Sequence, residues 1–185
     1  MLIRIRFLGT SAELPFPRKG CFCSQCKEER KKHYHARHSS IYFQAEGCRV
    51  VIDCAEDILP KVKQLNPDAV LITHKHPDHY AKELENLDCP VLIGKEYSKA
   101  GVKFTPFKVK HSKLFPAVSY KISGKGFKII YAPDILKCNW NEFSQADLAI
   151  LGGSSFSTEI KRYSDGEEIG HASMKNLLAR CKEQN

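Results

Sequence analysis

The sequence predicts an α/β sandwich, and three observations lead to this prediction. Short apolar runs rich in β-branched residues recur along the chain and are typical of strands. A few longer segments with helical spacing of their apolar residues interrupt these runs. The strand-like runs also fall into two consecutive β-rich halves, an order that favours packed layers of sheet and helix. A length of 185 residues suits one domain over residues 1–185.

Each element can be placed by its own pattern. Predicted strands share alternating or continuous apolar character and cover 2–9, 40–44, 49–53, 68–73, 89–94, 103–110, 117–123, 127–132 and 146–153. Predicted helices share a helical spacing and cover 24–32, 55–65 and 173–184, with a loop running into a helix over 73–87 and a helical turn over 141–145. The pair 40–44 and 49–53 is predicted to form a hairpin.

Composition and charge narrow the function classes. Hydrophobic residues make up 42% of the chain and charged residues 27%, values typical of a globular protein. No apolar run approaches the roughly 20 residues of a membrane helix, and the charged start does not resemble a signal peptide. We therefore expect a cytoplasmic protein without a membrane partner. The net charge of +8 favours an anionic small-molecule substrate such as a phosphate ester, and it permits nucleic acid.

The eight cysteines are expected to be thiols in the cytoplasm. Cys21, Cys23 and Cys26 form a Cys-x-Cys-x-x-Cys pattern, and three thiolates at this spacing can chelate one tetrahedral zinc ion. A fourth ligand is then needed, for which three histidines nearby are candidates: His33, His35 and His38.

The strongest motif is a histidine-rich loop, residues 74–79, directly after the apolar strand 68–73. It contains three imidazoles and one carboxylate within six residues, in the order His74, His76, Asp78 and His79. Neutral imidazole is a good ligand for Zn, Fe or Mn, and a carboxylate adds neutralising charge. One tetrahedral ion cannot take all four groups and stay open to substrate. The loop therefore predicts a site for two metal ions.

The His-x-His-x-Asp-His motif resembles the signature of metallo-β-lactamase-fold hydrolases, and the resemblance runs from Met1 almost to the end of the chain. It implies the αβ/βα sandwich of that superfamily and two divalent metal ions, zinc by default with Mn or Fe allowed. The implied ligands are His74, His76 and His111 for the first metal, Asp78 and His79 for the second, and Asp134 as the bridge. Asp53 would orient the site by hydrogen bonding rather than bind metal.

The cysteine pattern and the residues after His111 resemble the PhnP-like phosphodiesterase branch of that superfamily. This resemblance implies a structural zinc at the cysteines and a small or cyclic phosphodiester as substrate, attacked by a metal-bridging hydroxide. Asp78 would be essential for catalysis. His171 would protonate the leaving oxygen or contact the substrate, and only secondarily bind metal. Lys113 is either a phosphate contact or a solvated loop lysine.

The end of the chain departs from the family pattern. Members of the family follow the helix of residues 173–184 with a strand that ends in Thr-His, and that histidine completes the second metal site. We therefore expect either that the last strand and its ligand are missing here or that another group takes the position of the ligand. In both cases we expect the second metal to be held more weakly.

Three other functions stay open at this stage. An RNA-processing nuclease of the same fold agrees with the positive charge, but no insertion resembles a tRNA-gripping arm. A lactonase or thioesterase would use the same chemistry on a carbonyl. A non-catalytic binding protein with a degenerate metal site is the remaining alternative.

Overall fold

The computed structural model describes residues 2–184, and the chain divides into two compact units. Unit 1 is Met1–Val91 and unit 2 is Leu92–Asn185. The strands of the described range are β1 (Arg4–Gly9), β2 (Ser40–Ala45), β3 (Cys48–Ile52), β4 (Ala69–Ile72), β5 (Val91–Ile93), β6 (Tyr97–Lys99), β7 (Val102–Lys110), β8 (Ala117–Gly124), β9 (Phe127–Ala132), β10 (Lys137–Cys138), β11 (Leu148–Leu151), β12 (Ile160–Ser164) and β13 (Glu167–His171). The α-helices are α1 (Ser24–Lys31), α2 (Leu59–Leu65) and α3 (Met174–Glu183).

Unit 1 is built on a sheet with the strand order β1–β2–β3–β4–β5, whose last strand spans the boundary between the units. The predicted hairpin is confirmed, since β2 pairs with β3 antiparallel. β3 and β4 are parallel, and every residue of β4 is buried. Parallel strands end at the same edge of a sheet. The residues that follow β3 and β4, Asp53 and Thr73, are therefore neighbours, and this edge carries the histidine-rich loop.

α1 forms where a helix was predicted, whereas the helix predicted over 55–65 begins only at Leu59, as α2. α1 starts after Cys23, whose sulfur caps the helix by accepting from the Cys26 N–H. α2 has a proline in its first turn, where a missing N–H costs no helical hydrogen bond. The predicted helix after the histidine-rich loop is wrong: the chain forms only a 3-10 helix, Lys82–Asn86, with no side-chain cap and one buried residue, Leu84. With so little apolar surface to bury, nothing there stabilises a longer helix.

Unit 2 is built on a sheet with the order β10–β7–β8–β9–β11, to which β6 adds beside β7. β7, β8 and β9 form an antiparallel meander, and β11 lies parallel to β9. The core beneath the sheet includes Ile130, Phe143 and Leu177. α3 begins after Ser173, whose hydroxyl accepts from the N–H of Asn176. The predicted helical turn is confirmed as a 3-10 helix, Trp140–Phe143.

A two-stranded hairpin, β12 with β13, was not predicted. Its turn contains Asp165 and Gly166, both with positive φ, as the tight hairpin turns that match strand twist require. The Asp-Gly pair between two short runs was the sequence signal for this hairpin. The hairpin matters for the site because β13 ends on His171.

Among residues 2–184, no helix combines the length and the apolar character needed to cross a bilayer. The single domain over residues 1–185 stays a prediction, and the two units are described separately below.

Candidate metal centre

In unit 1, the four residues of the histidine-rich loop lie close together directly after β4 in the chain. His74 and His79 are almost completely buried, and Asp78 is 8% exposed. Nε2 of His74 lies 2.9 Å from Nδ1 of His76, and Nε2 of His79 lies 3.6 Å from a carboxylate oxygen of Asp78. The backbone closes the loop, since the N–H groups of His79 and Tyr80 both donate to the carbonyl of His76. The loop therefore gathers imidazole and carboxylate ligand atoms from consecutive residues.

Asp53 orients one end of this loop. Its side chain is fully buried, and Oδ2 lies 2.9 Å from Nδ1 of His79. A carboxylate only accepts hydrogen bonds, so Nδ1 of His79 carries the proton and Nε2 presents its lone pair. That Asp53 supports a metal site stays a prediction, and this contact with His79 is the one on which the prediction depends.

Thr73 orients His74 in the same way, a role that the sequence did not predict. Its N–H and its hydroxyl both donate to Asp53, at 2.8 and 2.9 Å. Because the hydroxyl proton points to the carboxylate, the hydroxyl oxygen accepts from Nδ1 of His74, 2.9 Å away. Nε2 of His74 is thereby left as the lone-pair nitrogen. One buried carboxylate thus sets the tautomers of two histidines, one directly and one through a threonine.

The backbone at Asp53 is held in an unusual conformation. Its φ of +64° lies in the left-handed region, which non-glycine residues occupy only when their surroundings enforce it. The surroundings do so here: Asp53 N–H donates to Leu71, Cys54 N–H donates to His79, and Ala81 N–H donates to Cys54. These bonds fasten the segment after β3 to β4 and to the histidine-rich loop, which holds the Asp53 carboxylate at His79.

Unit 2 forms a second group from His111, Asp134 and His171. Nε2 of His111 lies 3.6 Å from one oxygen of Asp134, and Nδ1 of His171 lies 3.4 Å from the other. The two imidazole rings are 4.7 Å apart and meet edge to face. His111 follows β7, Asp134 follows β9, and His171 ends β13, so strand ends supply all three side chains.

Gly170 and Ser154 complete this group and were also missed in the sequence. The carbonyl of Gly170 accepts from Nδ1 of His111 at 3.1 Å, while Gly170 N–H donates to the carbonyl of His111. Nδ1 of His111 therefore carries the proton, and Nε2 presents its lone pair towards Asp134. The hydroxyl of Ser154 lies 3.2 Å from Nδ1 of His171. Gly170 has a φ of +132°, and a Cβ there would overlap the carbonyl oxygen of Ile160.

Lys113 lies on the loop after His111 and pairs with a residue of the hairpin turn. Its ammonium is 2.5 Å from Asp165, and both side chains are well exposed. The predicted contact between Lys113 and a substrate phosphate stays a prediction. Such a contact would have to compete with this ion pair.

The donor atoms fit divalent metal ions. His74, His79 and His111 each donate from Nδ1 to an oxygen and present Nε2, as metal-binding histidines do when an oxygen acceptor fixes the other ring nitrogen. Nitrogen atoms bound to one zinc at about 2.0–2.1 Å lie roughly 3.3 Å apart in a tetrahedron. The 2.9 Å between His74 and His76 is therefore close to a ligand spacing. Imidazoles with carboxylates suit Zn, Mn or Fe rather than Mg or Ca.

The cysteine group forms in unit 1 beside the start of α1. The sulfur atoms of Cys21, Cys23 and Cys26 all lie within 4.8 Å of one another. The Cys26 N–H, and after it hydrogen bonding with the Cys21 thiol, lower the pKa of Cys23, whereas burial raises the pKa of Cys26. Arg30 fixes the loop by donating to the carbonyls of Arg18 and Cys21. The spacing predicted for a chelating group is thus present.

None of the nearby histidines joins the three sulfur atoms in the described range. His38 is held elsewhere: its backbone N–H and ring Nδ1 both bond to Asp57, at 3.0 and 2.8 Å. The hydrogen bond to Asp57 raises the pKa of His38. Burial alone would raise the pKa of Asp57, but the bonds from His38 outweigh burial and lower it.

The fold and the histidine–aspartate groups of this chain are those of metallo-β-lactamase-fold proteins. A family model described as the beta-lactamase superfamily domain matches residues 34–153, which is well over half of the chain. The chain belongs to this superfamily. The resemblance stated from the histidine-rich loop is therefore confirmed, and so is the fold class, while the absence of the last strand stays a prediction.

Solved structures agree with the fold. A diphosphatase of the PhnP family is 16% identical, with a TM-score of 0.69 over 99% of this chain and 84% of that chain. Zn(2+)-bound PqqB from Methylobacterium extorquens is 16% identical, with a TM-score of 0.67 over 85% of this chain and 74% of that chain. The short form of human tRNase Z is 15% identical, with a TM-score of 0.60 over 99% of this chain and 89% of that chain. At these identities the likeness concerns the fold alone.

A curated relative has higher identity over a shorter stretch. The octanoyltransferase of Porphyromonas gingivalis (strain ATCC BAA-308 / W83) is 33% identical over an alignment of 82 residues that covers 42% of this chain. The chain spans only 16% of the length of that protein. The activity in its name is that of the whole protein.

Proposed function

We propose that this chain is a metal-dependent phosphodiesterase that hydrolyses a small or cyclic phosphodiester. The observation that carries the proposal is the way Asp53 and Thr73 fix His79 and His74 as lone-pair donors at Nε2. Buried histidines held in this state, next to Asp78, are prepared to bind metal rather than to pack a core. The name of a PhnP-family diphosphatase with a similar fold supports a phosphate substrate, as does the net charge of +8.

The ligand assignment is the one that the family resemblance implies, and it is part of the proposal. One divalent ion would be held by His74, His76 and His111, a second by Asp78 and His79, with Asp134 shared by both. Such ions would polarise the phosphoryl group and lower the pKa of a water molecule towards neutrality. We take zinc as the metal because of the three oriented imidazoles, with Mn or Fe allowed by the same donor set.

His171 is proposed as the proton donor to the leaving oxygen. Nδ1 of His171 faces Ser154 and Asp134, at 3.2 and 3.4 Å, so these two oxygens orient the ring. Nε2 would then deliver a proton to the leaving group. A phosphodiester with a nitrophenolate leaving group needs little protonation, whereas one with an alkoxide leaving group needs it strongly.

This difference gives the test. With zinc- or manganese-loaded protein, Asp78→Ala should lower turnover of bis-p-nitrophenyl phosphate by about a hundredfold or more. Asp88→Ala, a carboxylate outside the loop, should leave turnover unchanged. His171→Gln should reduce turnover of a 2′,3′-cyclic nucleotide by about a hundredfold or more, and that of the nitrophenyl ester much less. Full activity of the Asp78 variant would rule out this mechanism.

A second candidate, hydrolysis of an acyl ester or thioester, is favoured by the local identity with the octanoyltransferase. The same donor set can polarise a carbonyl. The two candidates separate in one experiment, in which octanoyl thioesters and cyclic phosphates are offered to the same metal-loaded preparation. Faster turnover of the thioester would replace the phosphodiesterase proposal.

We further propose that Cys21, Cys23 and Cys26 hold a structural zinc, which the close approach of their sulfur atoms supports. Cys23→Ser should remove one zinc per chain by elemental analysis and lower the melting temperature. Cys181→Ser, at a partly buried thiol outside the group, is the control and should change neither. Unchanged zinc content in the Cys23 variant would contradict the assignment.

A further inference from the structure

Positive charge is concentrated in one short segment of unit 1. Residues 16–38 contain seven Lys and Arg residues and two Glu residues, which gives a net charge of +5. This short segment therefore carries more than half of the net charge of the chain, which is +8. Both acidic residues of the segment, Glu28 and Glu29, lie 2.8 Å from the same lysine, Lys32. These two carboxylates therefore form ion pairs with a single lysine. The six other Lys and Arg side chains of the segment make the electrostatic potential of this surface positive.

Aromatic rings are interleaved with these charges. Phe22 is 76% exposed, Tyr34 is 49% exposed and Phe16 is 36% exposed. Exposed aromatic rings are common at surfaces that bind a partner, and all three of these lie within residues 16–38. Phe22 also stands between two cysteines of the metal-binding pattern, so the loop that holds the sulfur atoms also positions this ring.

A cavity opens beside Phe22. It has a volume of about 480 Å³, and its wall combines apolar and basic side chains, namely Pro17, Lys19, Gly20, Phe22, Arg30 and His35. Arg30 is immobilised there by its bonds to the carbonyls of Arg18 and Cys21. An apolar ring wall with a cationic rim is suited to a flat, polar ring that carries a phosphate.

We propose that this surface, residues 16–38 with the cavity at Phe22, binds single-stranded nucleic acid. A nucleobase would stack on Phe22 in the cavity, and the backbone phosphates would lie along the lysines and arginines of the segment. A single strand fits because its bases are available for stacking, whereas those of a duplex are enclosed. The inference does not rest on the proposed hydrolytic reaction, and it gives the positive charge a role apart from the metal centre.

Binding can be measured by fluorescence anisotropy of a labelled single-stranded oligonucleotide of about 12 nucleotides, as RNA and as DNA, against a duplex of the same sequence. We expect the single strands to bind more tightly than the duplex. Affinity should fall steeply with salt, because phosphate contacts release counterions. Vesicles containing an anionic phospholipid form the competing arm, in a sedimentation assay.

Matched variants test the site itself. Phe22→Ala should lower the affinity about tenfold through the loss of one stacked base. Phe156→Ala removes an equally exposed phenylalanine, 75% against 76%, and should leave the affinity unchanged. Lys19→Gln should reduce the salt slope by about one, while Lys125→Gln, at an exposed turn, should not alter it. Circular dichroism of each variant confirms that the fold is intact.

Three results would overturn the inference. The first is no binding of the single strands at low salt. The second is equal loss of affinity in the Phe22 and Phe156 variants, which would make the contact unspecific. The third is tight binding of anionic vesicles without binding of the oligonucleotides, which would assign the surface to lipid. A selective effect of Phe22→Ala with a reduced salt slope for Lys19→Gln supports it.

Discussion

Thr73→Val isolates the hydroxyl that connects Asp53 to His74. The side chain is 2% exposed, and valine has nearly the same shape, so the substitution removes two hydrogen bonds without opening a cavity. The bond to the Asp53 carboxylate is of the charge-assisted kind, which contributes about 1.5–3 kcal/mol, and the stranded Nδ1–H of His74 costs about 1–3 kcal/mol in addition. Allowing for relaxation, we expect the free energy of unfolding to fall by about 2–4 kcal/mol.

The same change should weaken metal binding, because loss of the hydrogen-bond partner of a metal-binding histidine typically costs about 10–100-fold in affinity. Urea unfolding of the metal-free protein gives the stability change, and competition with a chelating dye gives the affinity. Thr73→Ser retains the hydroxyl and should restore most of both. Thr105→Val, on β7, controls for the loss of a threonine hydroxyl elsewhere. A Thr73→Val protein with the metal affinity of the parent would show that His74 needs no such partner.

Two further predictions concern other parts of the chain. Gly170→Ala should lower the free energy of unfolding by more than about 3 kcal/mol in urea unfolding, because the new Cβ would overlap the Ile160 carbonyl at a φ of +132°; Gly166→Ala, in open space, should cost only about 1 kcal/mol. Asp57→Asn should destabilise the protein most between the ordinary pKa values of the pair, 3.8 and 6.5. The lowered pKa of Asp57 gives stability that is lost as pH falls through it, and the raised pKa of His38 gives stability that is lost as pH rises through it. Equal destabilisation of the Asp57→Asn variant at pH 5 and pH 9, measured by urea unfolding, would contradict this pH dependence.

The parts of the fold that local pattern determines could be predicted. An apolar run of β-branched residues followed by His-x-His-x-Asp-His specifies both the strand β4 and the ligand types after it. The β2–β3 hairpin and α3 have equally local signals. The 3-10 helix after the histidine-rich loop could not be told from an α-helix, because the difference lies in how much apolar surface the rest of unit 1 covers.

The supporting residues of the site could not be predicted, because their roles depend on pairing between distant segments. Thr73 has the pattern of an ordinary strand residue, and its hydroxyl acquires a function only because β3 lies parallel to β4 and brings Asp53 beside it. Gly170 and His111 are separated by 59 residues. Asp53 was identified only through a resemblance, since a carboxylate after an apolar strand has no distinguishing local pattern.

The Asp53 network also explains how a carboxylate can be tolerated inside the fold. An ionised carboxylate without partners in the interior is strongly destabilising. Asp53 accepts from the Thr73 N–H, the Thr73 hydroxyl and Nδ1 of His79, which together satisfy much of its hydrogen-bonding capacity. Those donors come from residues that the site must hold still, so the bonds that make the burial tolerable also orient His74 and His79. The Nε2 atoms of His74 and His79 are therefore oriented by folding itself, and the metal ion that we propose there would have less side-chain entropy to remove.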